Sequence, residues 1–386
     1  MLKLTVWMNM PSFYQSDLFK ELVATGEVDL QVVYAKQLPA DRLSLGWQQD
    51  LSGFAHHFLD GHRPIRDALR LARAQRDRLH IVNGIWAESA FAATLTVLLL
   101  NGSKYVIYSE APNRTVSRAY SRRFAQWTFG RAVTQRATGL LPISYLAVDF
   151  FKQLGAKEAQ LYPFGYFRAT PRLSSGGLVE KHSDRIEAVF VGQLVRRKGL
   201  DLLIEAMHPL FNKYPNLFLT LIGGGEMQPE LEKQIAAYGI TERVLFAGTL
   251  NSSAIQARMA VADVVVLPSR WDGWGLVVNE AFSVGVPVIL SDHCGASEIV
   301  RDGINGYVFR SEDVADLRRQ FQQFLTDKDK WPELHTTSAA VGEKLSTESA
   351  AAYLITCLKH MTGALDVQPT PPWLLPVDHR ELAVLK

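Results

Sequence analysis

Asp272 and Glu280 flank the turn Gly273-Trp274-Gly275 in the run SRWDGWGLVVNEAFSVGVPVILSDHCGASEIV, residues 269–300. Two carboxylates at that spacing can accept hydrogen bonds from hydroxyl groups. The glycines allow a close approach of backbone to ligand, and the apolar run from Leu276 predicts a helix whose first N–H groups face an anion. An anion flanked by hydroxyl-bearing rings is the chemistry of a nucleotide sugar: ribose, diphosphate, hexose. Taken singly, Glu280 favours the helix dipole and Asp272 forms a turn. Together, with PVILSD, GASEIV and DGINGYVF following, they point to a site.

Three further loops add to it. Gly192-Gln193-Leu194-Val195-Arg196-Arg197-Lys198-Gly199 sets consecutive cations at a strand-to-helix turn. There Lys198 is a point charge for a diphosphate and Arg197 a forked donor. In isolation the same run is a solvated basic turn. Gly223-Gly224-Gly225 reads alone as a tight turn, since it lacks the Lys-Ser/Thr pair of a P-loop and the spacing of a dinucleotide fingerprint. Gly248-Thr249-Leu250 is the weakest of the set.

The elements that must position these loops alternate along the whole chain. Strands are expected at 4–8, 29–35, 80–83, 105–108, 139–143 and 160–163, then at 187–191, 217–222, 244–246, 262–267 and 286–290. Helical patterns lie between them, at 17–24, 65–74, 87–100, 116–137 and 145–154, then at 200–213, 230–238, 253–260 and 278–284. Repeated βα units imply parallel sheets covered on both faces, with ligands at the carboxyl ends of the strands. The stretch YFRATPRLSSGGLVEKHSDR reads as a linker. The expected organisation is therefore α/β, with one doubly wound domain over 1–166, a second over 186–347, and a cleft between them. A helix near 349–361 and a proline-rich tail within 348–386 would return to the first domain.

The second half closely resembles the retaining, family 4-type (group 1) glycosyltransferases of the GT-B fold, over about 187–309. The resemblance implies that Glu280 binds the donor ribose and Asp272 the transferred sugar. It also implies that the backbone of Gly273, Trp274, Gly275 and Leu276 meets the phosphates and sugar, and that Gly224, Gly225 and Gly248 close on the nucleotide. Two departures stand out: Asp272 replaces the usual Glu, and Gln193 occupies a position where the family often has Arg, leaving Arg197 to supply the guanidinium. In the first half the likeness is architectural. Ser12, Phe13 and Tyr14 are placed like an acceptor-side loop. Glu110 stands near where many relatives carry a histidine, either as a catalytic acid or as a surface partner of Arg114. The implied reaction is hexosyl transfer from a UDP-, GDP- or ADP-sugar to an acceptor hydroxyl. The alternatives are a sugar phosphorylase, a sugar-nucleotide epimerase or a non-catalytic binding module on the same fold.

Composition sets the remaining bounds. A formal net charge of +2 over 386 residues argues against nucleic acid as partner. Cys294 and Cys357 are too few for a disulfide framework or cysteine-rich metal site. With no Asp-x-Asp motif, neither metal nor other cofactor is expected. The opening MLKLTVWMNMPSF lacks a signal-peptide pattern, and the apolar run at 90–100 falls short of the ~20 residues of a membrane helix. A cytoplasmic protein is expected, working on a sugar, polysaccharide or lipid-linked acceptor in cell-surface polysaccharide or glycolipid synthesis. A helix at 114–136 sets Arg114, Arg118, Arg122 and Arg136 on one side and Tyr120, Phe124 and Trp127 on the other. Either its aromatics pack into the first domain and its arginines are solvated, or its basic face rests on an anionic membrane surface as a further partner.

Overall fold

The computed structural model describes residues 1–39, 50–112, 120–168 and 184–373. They divide into two compact units, one drawn from Met1–Ala169 and Ser346–Leu374, the other from Thr170–Leu345. The first unit contains β1 (Leu2–Met8), α1 (Phe13–Ala24), β2 (Val28–Tyr34), β3 (Ala55–Phe58), α2 (Pro64–Ala74), β4 (Leu79–Asn83), α3 (Ser89–Leu100), β5 (Tyr105–Glu110), α4 (Tyr120–Arg136), β6 (Gly139–Ile143) and α5 (Tyr145–Gln153). The second contains β7 (Ile186–Val191), α6 (Leu200–Lys213), β8 (Leu217–Ile222), α7 (Gln228–Ala237), β9 (Val244–Gly248), α8 (Ser252–Ala260), β10 (Val264–Leu267), α9 (Leu276–Ser283), β11 (Val288–Ser291), β12 (Gly306–Phe309), α10 (Val314–Thr326) and α11 (Trp331–Lys344).

Each unit is a six-stranded parallel sheet, ordered β3-β2-β1-β4-β5-β6 in the first and β12-β11-β10-β7-β8-β9 in the second. Numbered within each unit, both follow the doubly wound order 3-2-1-4-5-6, which reverses direction beside the first strand. Apart from the edge strands β3 and β9, the strands are mostly buried and read as nearly continuous apolar runs. VVVL of β10 and VILS of β11 are wholly buried. The helices bury one stripe each: α6 buries Leu200, Leu203, Ile204, Met207, Leu210 and Phe211, three or four apart.

The last described helix, α12 (Thr347–Met361), packs with the first unit. Tyr162 Oη and His360 Nδ1 lie 2.7 Å apart, and Lys359 pairs with Glu27. Trp373 is fully buried against Phe164, Phe167 and Tyr353.

The structure lacks one expected strand and adds two strands and two helices. Residues 160–163 do not form a strand. Residue 160 closes a 3-10 turn, Glu158–Gln160, and the chain beyond it meets β6 only at the lone bridges Leu140–Leu161 and Ile143–Phe164, where Tyr162 and Phe164 N–H donate to the Leu140 and Pro142 carbonyls. Conversely β3 and β12, together with α10 and α11, lie where no element was expected. The edge strand β3, AHHF, is largely exposed and carries no apolar alternation.

Candidate functional site

In the second unit the order reverses between β7 and β10. In sheets of this topology the carboxyl edge at the point of reversal is where ligands bind, and the loops leaving these two strands lie there. The loop after β7 is a 3-10 turn, Arg196–Lys198, closed by Gly199. It is bonded to the loop after β10, where Arg270 N–H donates to the Arg197 carbonyl at 2.9 Å. On its other side, Leu194 N–H donates to the Gly224 carbonyl and Met227 N–H to the Leu194 carbonyl. Gly223 N–H donates to Gly248. Gly223 has φ 135°, and a Cβ there would lie 1.9 Å from the Gly192 carbonyl oxygen. Only glycine lets these two loops cross so closely. Gly224 and Gly248 are thus brought beside the cation loop, and Gln193 is half-buried within it.

Charge gathers at the junction. Lys198 Nζ sits 2.5 Å from Asp272 Oδ2, with both side chains mostly buried. Arg197 Nη1 donates to the Trp271 carbonyl at 2.8 Å and stands 3.8 Å from Asp272 Oδ2, with its side chain 42% exposed. The two cations and the acid singled out from sequence therefore meet, 74 residues apart in the chain. An ammonium has three donors, so the Asp272 bond leaves Lys198 able to hold a second anion. Among the described residues no group of three or more His, Cys, Asp or Glu is placed to hold a metal ion.

The loop carrying Asp272 is pinned from below by the segment at 293–296. Asp272 N–H donates to His293, Gly295 N–H to Asp272 and Ala296 N–H to the Trp274 carbonyl. The Cys294 thiol also donates to Trp274 O at 2.8 Å, and burial, then Asp272, pushes this thiol well above its ordinary pKa. The downstream GASEIV run accordingly acts as the seat of the motif. Trp274 is 1% exposed and its Nε1–H donates to Asn279 at 2.7 Å. Its contribution to a ligand is confined to the backbone. Gly275 has φ 97°, and a Cβ there would fall 2.5 Å from Cys294 Sγ and 2.8 Å from Leu267 Cδ2. Its first duty is thus close packing rather than ligand approach. Among the described residues, the N–H groups of Gly273, Trp274, Gly275 and Leu276 have no backbone acceptor. They precede or open α9, where the dipole favours negative charge. Glu280 follows Leu276 by one helical turn and is half-buried.

Residues that the sequence did not single out complete the junction. Arg270 Nη1 and Nη2 bond Asp201 Oδ1 and Oδ2, each at 2.8 Å. Arg270 immediately precedes Trp271-Asp272, a position that could have drawn notice.

In the first unit, Ser12 is buried and its hydroxyl donates to Gln15 Oε1 at 2.7 Å, so it braces α1. Phe13 and Tyr14 are half-buried, with ring centroids 5.4 Å apart, and Tyr14 lies 4.8 Å from Tyr166. The Tyr166 hydroxyl donates to Glu110 Oε1 at 2.5 Å. Burial, then the Glu110 carboxylate, raises the Tyr166 phenol well above its ordinary pKa. Tyr166, the last residue of the first expected domain and the first of the linker-like stretch, is a partner of Glu110. Arg114, Arg118 and Arg122 lie outside the residues whose side chains are described.

Comparison with known proteins follows the same division. The sequence pattern described as "Glycosyl transferases group 1" matches residues 179–339. The chain is 32% identical over 272 residues to alpha-D-kanosaminyltransferase of Streptomyces kanamyceticus, covering 65% of this chain and 69% of that protein. It is 34% identical over 151 residues to the GDP-mannose-dependent alpha-(1-6)-phosphatidylinositol monomannoside mannosyltransferase of Mycolicibacterium smegmatis, covering 37% and 40% respectively. In fold it is similar to Anabaena Alr3699/HepE in complex with UDP, with TM-score 0.71 and 17% identity over 93% of this chain and all (100%) of that one. It is also similar to the lipopolysaccharide outer core galactosyltransferase WaaB, with TM-score 0.70 and 12% identity over 94% and 100%.

Proposed function

This chain belongs to the group 1 glycosyltransferases, with the GT-B fold, and we propose that it moves a hexosyl group from a nucleoside-diphosphate sugar to an acceptor hydroxyl with retention at the anomeric carbon. The observation that carries this reading is the Lys198–Asp272 pair beside the unclaimed N–H groups that open α9. A diphosphate needs cations and N–H donors, and a hexose needs a carboxylate for its hydroxyls; here they lie side by side.

In the reaction the bond from the anomeric carbon to the diphosphate breaks, a bond to the acceptor oxygen forms, and the acceptor proton is released. Negative charge grows on the departing diphosphate. Lys198, Arg197 and the start of α9 stabilise it, and preorganised donors of this kind contribute about 3–4 kcal/mol each. Glu280 takes the ribose hydroxyls, and Asp272 the hydroxyls of the transferred sugar. With cations in this role, no divalent metal is required. Among relatives, HepE is described with UDP and the mycobacterial mannosyltransferase as GDP-mannose-dependent; both bases are candidates for this donor.

On the acceptor side, the Phe13, Tyr14 and Tyr166 rings suit the apolar face of a sugar, and Glu110 its hydroxyls. Among the described residues no helix is long and apolar enough to cross a membrane. A lipid-linked or polysaccharide acceptor would be reached by docking on an anionic leaflet.

The test is a screen of UDP-, GDP- and ADP-sugars by thermal stabilisation, followed by NMR of the product's anomeric configuration. Donor at ~100 times its dissociation constant should add about 2.7 kcal/mol. Stabilisation by none of them, or a product of inverted configuration, would overturn the corresponding part of the proposal. Turnover with inorganic phosphate in place of a sugar acceptor would reassign the enzyme as a phosphorylase. Binding without slow donor hydrolysis would make it a binding module.

A further inference from the structure

We infer that Arg270 is a positioning residue for the donor diphosphate, acting as the clamp that holds the cation loop and the acid loop in one geometry. The inference rests on the donor reading above only for the identity of the ligand; the clamp itself is visible in the contacts.

One guanidinium bonds three residues, Asp201, Arg196 and Glu312. Its Nη1 and Nη2 form a parallel two-bond fork with Asp201 in the first turn of α6, each bond 2.8 Å long. Nη1 also donates to the Arg196 carbonyl at 2.8 Å, and Nε donates to Glu312 at 3.0 Å. The backbone of the same residue closes the circuit, since its N–H donates to Arg197 O and its carbonyl faces His293 Nδ1 at 3.3 Å. Arg270 and Asp201 are each only 17% exposed. Burial would raise the Asp201 carboxyl, but the Arg270 bonds more than offset it and hold the group below its usual range. The Arg270 guanidinium is in turn held more firmly protonated.

A second observation concerns Glu312. It is one of two non-glycine residues with positive φ among those described, at 64°. Such a conformation is unfavourable for a residue with a side chain and persists where its surroundings impose it. Here the strained residue places its carboxylate on Arg270.

The physical need for a clamp follows from the loop's charge. Arg196, Arg197 and Lys198 are successive cations in one 3-10 turn and repel each other. Arg196 points outward, 64% exposed, whereas Lys198 turns inward to Asp272. Without a restraint the turn would relax by spreading its cations into solvent. Arg270 restrains it through the Arg196 and Arg197 carbonyls, and it stands two residues from Asp272. Loss of the clamp should therefore disturb Lys198 and Asp272 together.

The experiment uses the full chain with Arg270→Lys, which keeps the charge but loses the fork, together with Asp201→Asn and Glu312→Gln. Backbone hydrogen exchange is followed over 196–199 and 271–276 without ligand. Affinities for UDP, GDP and ADP are measured beside those for uridine, guanosine and adenosine. Exchange should rise in both loops at once, and the preferred diphosphate should weaken about tenfold or more, the scale seen when an orienting outer partner is lost. The matching nucleoside should bind as before. Wild-type exchange in folded Arg270→Lys and Asp201→Asn would overturn the inference. So would faster exchange throughout the second sheet with equal losses for diphosphate and nucleoside, which marks a merely stabilising residue. If no diphosphate binds the wild-type chain, the donor reading fails, while the exchange data still decide the clamp.

Discussion

Lys198 and Arg197 differ in how firmly they are held, and that difference orders their expected effects. Lys198 is mostly buried against Asp272, while Arg197 is 42% exposed and tied to a carbonyl. Lys198→Ala should lower kcat/KM by about 3–4 kcal/mol and Arg197→Ala by less, with folding retained; full activity in both would remove the phosphate assignment. Glu280→Ala should weaken nucleoside-diphosphate binding by about 1–3 kcal/mol with little change in sugar preference, which calorimetry with UDP and GDP would read. His80 offers a prediction of another kind. It accepts from Trp7 Nε1 through Nδ1, so its proton is on Nε2, facing the Gln75 carbonyl. Burial lowers its pKa to about 4. The unfolded chain, with an ordinary value near 6.5, binds the extra proton first as pH falls. His80 should thus cost no stability above about pH 6.5 and remove about 3 kcal/mol by pH 4. His80→Gln, which keeps an acceptor for Trp7, should flatten this part of the denaturation-versus-pH curve; an unchanged slope would place the titration elsewhere.

At the scale of elements, the α9 start is set by Gly275, where φ is 97° and a Cβ would strike Cys294 and Leu267. Gly275→Ala should cost about 1–3 kcal/mol in stability and lower activity further by shifting the N–H groups ahead of Leu276. Chemical denaturation read beside kcat would detect both, and an active variant of wild-type stability would deny the geometry. Much of this element was legible beforehand, because a glycine-flanked turn before VVNEAF announces its helix through local rules. The βα alternation was legible for the same reason, since fully buried parallel strands are apolar runs. Other features depended on distant partners. The Lys198–Asp272 and Arg270–Asp201 pairs arise from the order of β7 and β10 in the sheet, which no local pattern encodes. The inward turn of Trp274 depends on Asn279 and on the seat at 293–296. Tyr166 sits in a stretch whose composition suggests a linker, and only the fold brings it to Glu110.

For the molecule as a whole, the proposed division of labour between cations and donor predicts full activity in excess EDTA; loss of activity restored by magnesium or manganese would reveal a metal requirement. The membrane proposal depends on where charge is concentrated. A formal net charge of +2 is too small to hold the chain on an anionic surface, so a local patch must do it. The helix expected for this role, at 114–136, lies partly outside the described residues; of its described part, Trp127 is 47% exposed, with Arg131 5.6 Å from its ring centre. Another helix offers a clearer face. Arg63, Arg66, Arg70 and Arg73 recur along one side of α2 and its N-terminal flank, all exposed, with Ile65 43% exposed at the same end. Arg70 is partly neutralised by Asp67 at 2.7 Å, so Arg63, Arg66 and Arg73 carry most of the field. Each cation near an anionic leaflet contributes about 1 kcal/mol, falling off within a Debye length. The chain should therefore co-sediment with phosphatidylserine-containing vesicles at low ionic strength, release in high salt, and ignore neutral vesicles. Changing Arg63, Arg66 and Arg73 to Glu should abolish binding while leaving transfer to a soluble acceptor intact, because none of the three lies in the second unit with the donor loops. Equal binding by that triple variant would exclude this face, and no binding by the wild-type chain would favour an acceptor free in solution.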